Sequence, residues 1–303
     1  MKNLKLSFKI LAIVLTTGLL ACNDGNEDPS FKGKASVKAT DAAVDAQNVS
    51  AVYLSVDEIQ ATANGQTRTV VAFNTPQKFN IMAYQNGATY FMGEGDLDAG
   101  SYSDLRFITS SSADSYVEMK DGTTKQLEIE NGSTTGYRIQ GAFDIAASTT
   151  TDLVADIDLR KALVTTANGT FKLRSTARVV MENQTGKIKG TVSGSGNTSE
   201  RIVVYAYEKG SFSASEENEP TEGRTRYEGS INSAIVAENG SYTLAFMEEG
   251  EYEIIVASYS NEDNDEDLEF EGRMSSSLSI NGVLFNTINV TSRSTVSANI
   301  TIN

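Results

Sequence analysis

Val52-Tyr53-Leu54-Ser55-Val56-Asp57-Glu58-Ile59 has the period of a strand: Val52, Leu54 and Val56 fall on one side, Tyr53, Ser55 and Asp57 on the other. A repeat of two sets one face against a core and the other toward water. Short runs of the same kind, rich in Val, Ile, Thr and aromatics, recur at residues 68–73, 102–108, 137–145 and 171–181. Between and around them stand Asn64-Gly65, Asn86-Gly87, Asp121-Gly122 and Asn168-Gly169, pairs that accept positive φ and favour tight hairpins. One helical piece, a turn or two, is predicted over residues 158–163. The chain reads as all-β.

Past a turn at residues 183–187 the strand runs start afresh at 186–192, 201–207, 242–247, 252–259, 283–290 and 295–302. About seven strands suit a small β-sandwich. The expectation is two β-sandwich-like domains, residues 33–183 and 184–303. Residues 211–223, rich in Ser and Glu, and 261–271, dominated by acids, are predicted as exposed loops. A local pattern crosses both halves: Gly100-Ser101-Tyr102, Gly169-Thr170-Phe171, Gly240-Ser241-Tyr242 and Gly250-Glu251-Tyr252. Glycine permits a tight turn into the strand, the ring buries, and a tyrosine hydroxyl can bond nearby backbone. These residues are read as fold determinants.

The N-terminal residues 1–21 read as a lipoprotein signal peptide. Lys2, Lys5 and Lys9 precede an apolar run over residues 10–20. That run is shorter than the roughly 20 residues a membrane span needs. Leu19-Leu20-Ala21-Cys22 then has the form of a lipobox. Cleavage between Ala21 and Cys22 leaves a thiol for diacylglyceryl transfer and an amine for a further fatty acyl chain such as palmitate. Two or three chains anchor stably, at about 0.8 kcal/mol per buried CH₂. Residues 22–32 are expected as an acidic, flexible tether. Its run Asn23-Asp24-Gly25-Asn26-Glu27-Asp28 resembles the surface-export signal of Bacteroidota lipoproteins. The expected location is the outer membrane, lipid-anchored and facing outward.

Composition narrows the chemistry. The chain carries a net charge of −15, and loss of residues 1–21 removes three lysines and no acid, giving −18. So acidic a chain excludes a nucleic-acid partner, which needs a basic patch. There is no histidine and the single cysteine is Cys22. Ser-His-Asp and Cys-His catalysis and histidine-ligated zinc are therefore excluded within this chain. With Cys22 assigned to lipid, no disulfide or thiolate chemistry remains.

Several separated blocks carry a family resemblance. They are Ala35-Ser36-Val37-Lys38-Ala39-Thr40-Asp41-Ala42, Val49 to Ile59, Leu97 to Phe107, Ala155-Asp156-Ile157-Asp158-Leu159-Arg160-Lys161, and Gly169 to Val180. In this order they resemble the bacterial family known as domain of unknown function 4382. The resemblance implies an exported β-rich module, often on lipoproteins, and assigns no catalytic residue. The second half is similar to carboxypeptidase-regulatory-like or prealbumin-like sandwiches, through Gly186 to Val192, Asn239-Gly240-Ser241-Tyr242-Thr243-Leu244 and Glu249 to Val256. That pattern implies a spacer or adhesive module and speaks to fold far more than to function.

Three groups are weighed as chemistry. Asp263, Asp265 and Asp267 alternate like the first ligands of a calcium loop, but Leu268 stands where an EF-hand needs glycine and Met274 where it needs glutamate. An EF-hand is excluded. A looser calcium site with Glu262 or Asn264 stands against the plainer reading of a solvated acidic loop, and no other cofactor is implied. Asp156 and Asp158 share a strand face, as paired carboxylates of acid–base catalysis do, but capping of the turn at Leu159-Arg160-Lys161 is the favoured reading. Arg106, Arg174 and Arg178 are expected to pair with Asp104, Asp156 or Asp158. Tyr84, Tyr90, Phe91 and Tyr116 are candidates to stack on sugar rings, a reading weakened by the absence of Trp.

The sequence therefore predicts a non-enzymatic envelope lipoprotein acting as a surface binding, adhesive or scaffold component, with a glycan or protein partner. Two alternatives stand beside it. One is a fimbrillin-like pilus subunit, which requires an open groove and an exchangeable strand. The other is a glycan-binding component of a polysaccharide-uptake system.

Overall fold

In a computed structural model, residues 31–42, 48–109, 114–194, 201–221, 223–260 and 268–303 are described. The first twelve strands are β1 (Lys32–Ala42), β2 (Val49–Ala63), β3 (Gln66–Asn80), β4 (Tyr90–Asp98), β5 (Gly100–Thr109), β6 (Tyr116–Met119), β7 (Thr124–Ile129), β8 (Tyr137–Ile145), β9 (Thr150–Asp158), β10 (Leu163–Thr165), β11 (Phe171–Leu173) and β12 (Arg178–Met181). One helical turn, α1 (Leu159–Ala162), follows β9, as predicted. The strands form one sheet in the order β10-β11-β7-β6-β2-β5-β8-β12-β9-β1-β4, with β3 on β2.

The stretch 52–59 lies in β2, whose hairpin to β3 turns at Asn64-Gly65 with φ of 50° and 73°. Positive φ at both residues gives the type I′ turn that matches strand twist. The sheet rolls on itself, so that β4 comes back against β3. A Cβ on Gly95 would lie 1.7 Å from the Val70 carbonyl oxygen, so only glycine lets the two backbones approach this closely. The roll encloses a core of Ala35, Val37, Val52, Ile59, Leu105, Phe107, Tyr137, Ile139, Leu153 and Ile157, all essentially without solvent contact.

The remaining strands are β13 (Thr185–Gly194), β14 (Arg201–Glu208), β15 (Asn232–Ile235), β16 (Ser241–Glu248), β17 (Gly250–Ser260), β18 (Glu269–Arg273), β19 (Ser276–Ile280), β20 (Val283–Phe285), β21 (Ile288–Val290), β22 (Thr295–Ser297) and β23 (Asn299–Ile302). They make two sheets. One runs β16-β13-β23-β19-β20 with β22 on β13, and the other β15-β14-β17-β18 with β21 on β17. Ile188, Val204, Leu244, Val256, Ile288, Val290 and Ile300 fill the space between them.

Strands β14 and β17 are buried on both faces. Val204, Ala206 and Val256 point into the sandwich; Val203, Tyr205, Tyr207, Ala257 and Tyr259 point out of it. Over that outer face folds the excursion between β14 and β15, which brings Phe212 and Tyr227, while β18 brings Phe270. Tyr227 stacks on Tyr205 at 4.4 Å between ring centroids. The part of the excursion predicted as an exposed loop, 211–223, is mostly exposed, but Phe212, Glu216 and Glu217 turn inward. Tyr207 Oη donates to Glu216 Oε2 at 2.8 Å.

Three predicted runs break, two of them where the chain changes partners and the third, 295–302, while it stays parallel to β13. Residues 171–181 divide into β11, which pairs with β7 and β10, and β12, which pairs with β8 and β9. Residues 283–290 divide into β20 and β21, on opposite sheets. Residues 295–302 divide into β22 and β23. The glycine–aromatic pattern does what its chemistry suggests. Tyr102 Oη donates to the Asp98 carbonyl and Tyr252 Oη to the Glu248 carbonyl, each 2.9 Å away and four residues back. Tyr242 Oη donates to the Ala298 carbonyl at 2.7 Å, and Phe171, which has no hydroxyl, is buried.

Candidate functional site: an ionic junction and an open apolar edge

Residues Phe31–Asn303 form one compact unit, and charged side chains gather where the first sheet meets the sandwich. Strand β9 lies between β12 and β1, with Asp156 opposite both Arg178 and Thr40. Strand alternation puts Asp156 and Asp158 on one face, as the sequence suggests. Arg178 Nε and Nη2 donate to Asp156 Oδ2 at 3.0 and 2.8 Å. Nη2 also reaches across to the Phe246 carbonyl at 3.0 Å. Beside this pair Val154 and Val180 pack on Ala245 and Phe246.

Asp158 holds the second clamp. Its Oδ2 accepts from Arg160 Nη2 at 2.8 Å, with Lys161 Nζ at 3.6 Å. Arg160 continues into the excursion, donating to the Tyr227 carbonyl and to Ser230 Oγ, both at 2.8 Å. Its guanidinium lies 5.1 Å over the Tyr205 ring. Lys161 Nζ donates to the Ser230 carbonyl at 2.5 Å. Three cations of the first sheet and its helical turn thus each bond main-chain carbonyls of the sandwich region.

The cap of α1 comes from elsewhere than expected. Asp158 stands at the N-cap but makes no capping hydrogen bond. Instead Asp41, on neighbouring β1, accepts from the Leu159 N–H at 3.1 Å through Oδ1 and from Gln85 Nε2 at 2.9 Å through Oδ2. Burial holds the Asp41 carboxyl well above the ordinary carboxylate range, against those two hydrogen bonds. Burial also raises Asp156 despite Arg178 and lowers Lys161 despite Asp158. All three aspartates are buried; both Asp41 oxygens accept from N–H donors, Asp156 Oδ2 and Asp158 Oδ2 are each held by an arginine, and Asp158 Oδ1 has no hydrogen-bond partner among the described residues.

The other predicted residues separate. Arg106 Nε pairs with Asp104 Oδ1 at 3.0 Å, as expected. Among the described residues Arg174 pairs with no carboxylate; its Nη2 donates to the Lys161 carbonyl. Tyr90 is stacked on Phe79 at 4.6 Å and tilted against Tyr84. Tyr116 is in a different stack, on Tyr53 at 4.7 Å, with Lys78 Nζ 4.5 Å from its centroid. Tyr90 and Tyr116 each turn a ring face to a neighbour, and of the four candidates only Phe91 is largely exposed. Ala21, Cys22 and the run Asp263, Asp265, Asp267 lie outside the described residues. Among the described residues no three acids, histidines or cysteines are placed to hold a metal ion, and no helix is long and apolar enough to cross a membrane.

The hairpin of β19 and β20 presents a feature the sequence reading passed over, though Asn281-Gly282 signals it. The turn has φ of 52° and 79° at those residues, and Ile280, Ser279 and Leu278 pair with Val283, Leu284 and Phe285. Among the described residues strand β20 is the edge of its sheet. Its three residues are 59%, 71% and 45% exposed, a consecutive apolar run in water. An open cleft of about 240 Å³ beside it is lined by Ile254, Leu278, Leu284, Phe285 and Ile300. In this acidic chain, residues 274–303 contain one charged side chain, Arg293.

Comparison with known proteins adds the following. No curated protein matches the chain. Among solved structures, a leucine-rich repeat protein from Bacteroides thetaiotaomicron is similar at 12% identity, over 90% of this chain and 26% of that one, with a TM-score of 0.25. The minor pilin GBS52 of Streptococcus agalactiae is similar at 10% identity, over 88% of this chain and 95% of that one, with a TM-score of 0.21. The major pilin subunit BcpA of Bacillus cereus is similar at 10% identity, over 90% and 70%, with a TM-score of 0.22. Residues 32–175, from β1 through β11 to the bend before β12, match the family described as Domain of unknown function (DUF4382).

Proposed function

We propose that this protein is a non-enzymatic, lipid-anchored component of the cell envelope that acts as a surface binding, adhesive or scaffold unit. The observation that carries the non-enzymatic part is the burial and pairing of Asp41, Asp156 and Asp158. Carboxylates that do acid–base work stand within hydrogen-bond reach of substrate. Here all three are buried, Asp156 and Asp158 each held by an arginine that reaches on to a carbonyl of the sandwich region, and Asp41 held in the cap of α1. The anchoring part rests on Lys2, Lys5 and Lys9, the apolar run after them, and Ala21-Cys22 ahead of an acidic tether. An outer-membrane, outward-facing location is proposed on the same grounds. The pilus-subunit reading gains support from the open edge at β20.

Metabolic labelling with an alkyne fatty acid tests the anchor. The wild-type chain should carry label and Cys22→Ser should not; a wild-type chain without label overturns the anchor. Protease added to intact cells should degrade the chain if it faces outward. A hydrolase activity lost in Asp156→Asn at unchanged thermal stability would overturn the non-enzymatic part.

A further inference from the structure

We propose that β20 is a homotypic docking edge, through which two copies of this chain pair strand to strand about a twofold axis at Leu284. The inference rests on the binding-or-scaffold reading and names its partner, a second copy.

The ladder parity comes first. The Asn303 N–H donates to the Ser275 carbonyl at 2.9 Å, so odd-numbered residues of β19 turn their backbone groups toward β23. Leu278 and Ile280 therefore turn theirs toward β20, where they meet Phe285 and Val283. A two-residue type I′ turn closes on a hydrogen-bonded pair, which agrees for Ile280 and Val283. Leu284, between them, aims its N–H and C=O away from the sheet. An edge with free ladder groups is a template for another strand.

The edge is also self-complementary. Antiparallel pairing centred on Leu284 lets the two Leu284 residues exchange both backbone hydrogen bonds. Val283 of each copy then lies opposite the partner's Phe285 on the same face. A β-branched residue facing an aromatic is a favourable cross-strand pair. A twofold interface requires that one patch match itself, and this three-residue strand does.

Charge selects the second copy. A chain of net charge −15 repels its own kind over most of its surface. Residues 274–303, which supply β19 to β23, hold no acid and a single arginine. No charged residue lines the cleft beside β20. Two such edges meet without like-charge contact, and Val283, Leu284 and Phe285 leave water on pairing.

The test uses the full-length chain in detergent. Leu284→Cys places two thiols across a hydrogen-bonded antiparallel pair, where Cα atoms sit about 5.5 Å apart, within disulfide range. The expected result is a dimer that reductant dissolves, absent from the wild type and from Ser211→Cys at an exposed site away from the edge. Sedimentation of the wild type should show concentration-dependent dimer that Leu284→Lys abolishes. Leu284 is exposed, so both variants keep the fold, checked by circular dichroism. Equal cross-linking in the two cysteine variants, or a wild type that sediments as a monomer throughout, overturns the proposal. Loss of the dimer with fatty acid still on Cys22 removes this inference alone. Loss of the label with the dimer intact removes the anchor alone.

Discussion

Arg160→Ala is the sharpest probe of the junction. The guanidinium side chain is 4% exposed and that of its partner Asp158 11%. Removing it withdraws the 2.8 Å ion pair, three hydrogen bonds into the excursion and the cover over the Tyr205 ring. It also leaves a buried carboxylate with Lys161 Nζ at 3.6 Å as its remaining cation. Breaking a buried pair from one side costs about 3–5 kcal/mol, because the surviving charge is stranded. At about 2–4 °C per kcal/mol for a chain of this class, the melting temperature should fall by about 6–20 °C. The assay is thermal and urea unfolding of the wild type, Arg160→Ala, Asp158→Asn and the double variant. The double variant should be more stable than Arg160→Ala, since the Asp158 carboxylate is then not stranded and Lys161 Nζ keeps its bond to the Ser230 carbonyl. A loss below about 1 kcal/mol for Arg160→Ala, in the range of a surface pair, would refute the reasoning, as would strict additivity in the cycle.

Other outcomes follow from single features. Because burial raises Asp41, the folded chain keeps that proton where the unfolded chain releases it. Its contribution to stability is complete below about pH 4 and is lost as pH rises through the folded value. Asp41→Asn should therefore gain on the wild type between pH 4 and pH 7, by urea denaturation; a variant that instead falls further behind at pH 7 contradicts this sign. Tyr102→Phe and Tyr252→Phe each remove one bond to a carbonyl four residues back, at about 1 kcal/mol apiece, and the two losses should add in a double variant. Gly95→Ala drives a methyl onto the Val70 carbonyl and should cost about 3 kcal/mol. Gly65→Ala, with φ of 73° and open space around it, should cost nearer to about 1 kcal/mol from strain alone; equal losses would contradict the close approach of β4 to β3.

The strands legible in the sequence were those whose partners change at a glycine turn. Residues 52–59 and 137–145 show their period plainly, and Asn64-Gly65 marks a real hairpin. The breaks within 283–290 and 295–302 were hidden because the chain changes strands there at ordinary residues, Asn286-Thr287 and Ala298. The outer aromatic layer was equally hidden. Val203-Val204-Tyr205-Ala206-Tyr207 is apolar at every position, so no alternation tells which side of it is covered or by what. At the junction the pairing of Arg178 with Asp156 followed from type and strand context, whereas the Asp41 cap joins residues 118 apart, a distance over which no local pattern reports. Arg174 misled because a guanidinium satisfies main-chain carbonyls as readily as carboxylates.

The excursion between β14 and β15 ties two kinds of opening into one event. The peptide that roofs Tyr205, Tyr207 and Tyr259 is the same one whose Tyr227 and Ser230 carbonyls receive Arg160 and Lys161. Lifting that roof uncovers rings and strands cations in a single motion. The aromatic layer and the ionic junction should therefore lose amide protection together, as one cooperative block. A tag spliced into the excursion, which looks like a tolerant polar loop, would loosen the hold of the sandwich on the first sheet as well as the layer beneath it.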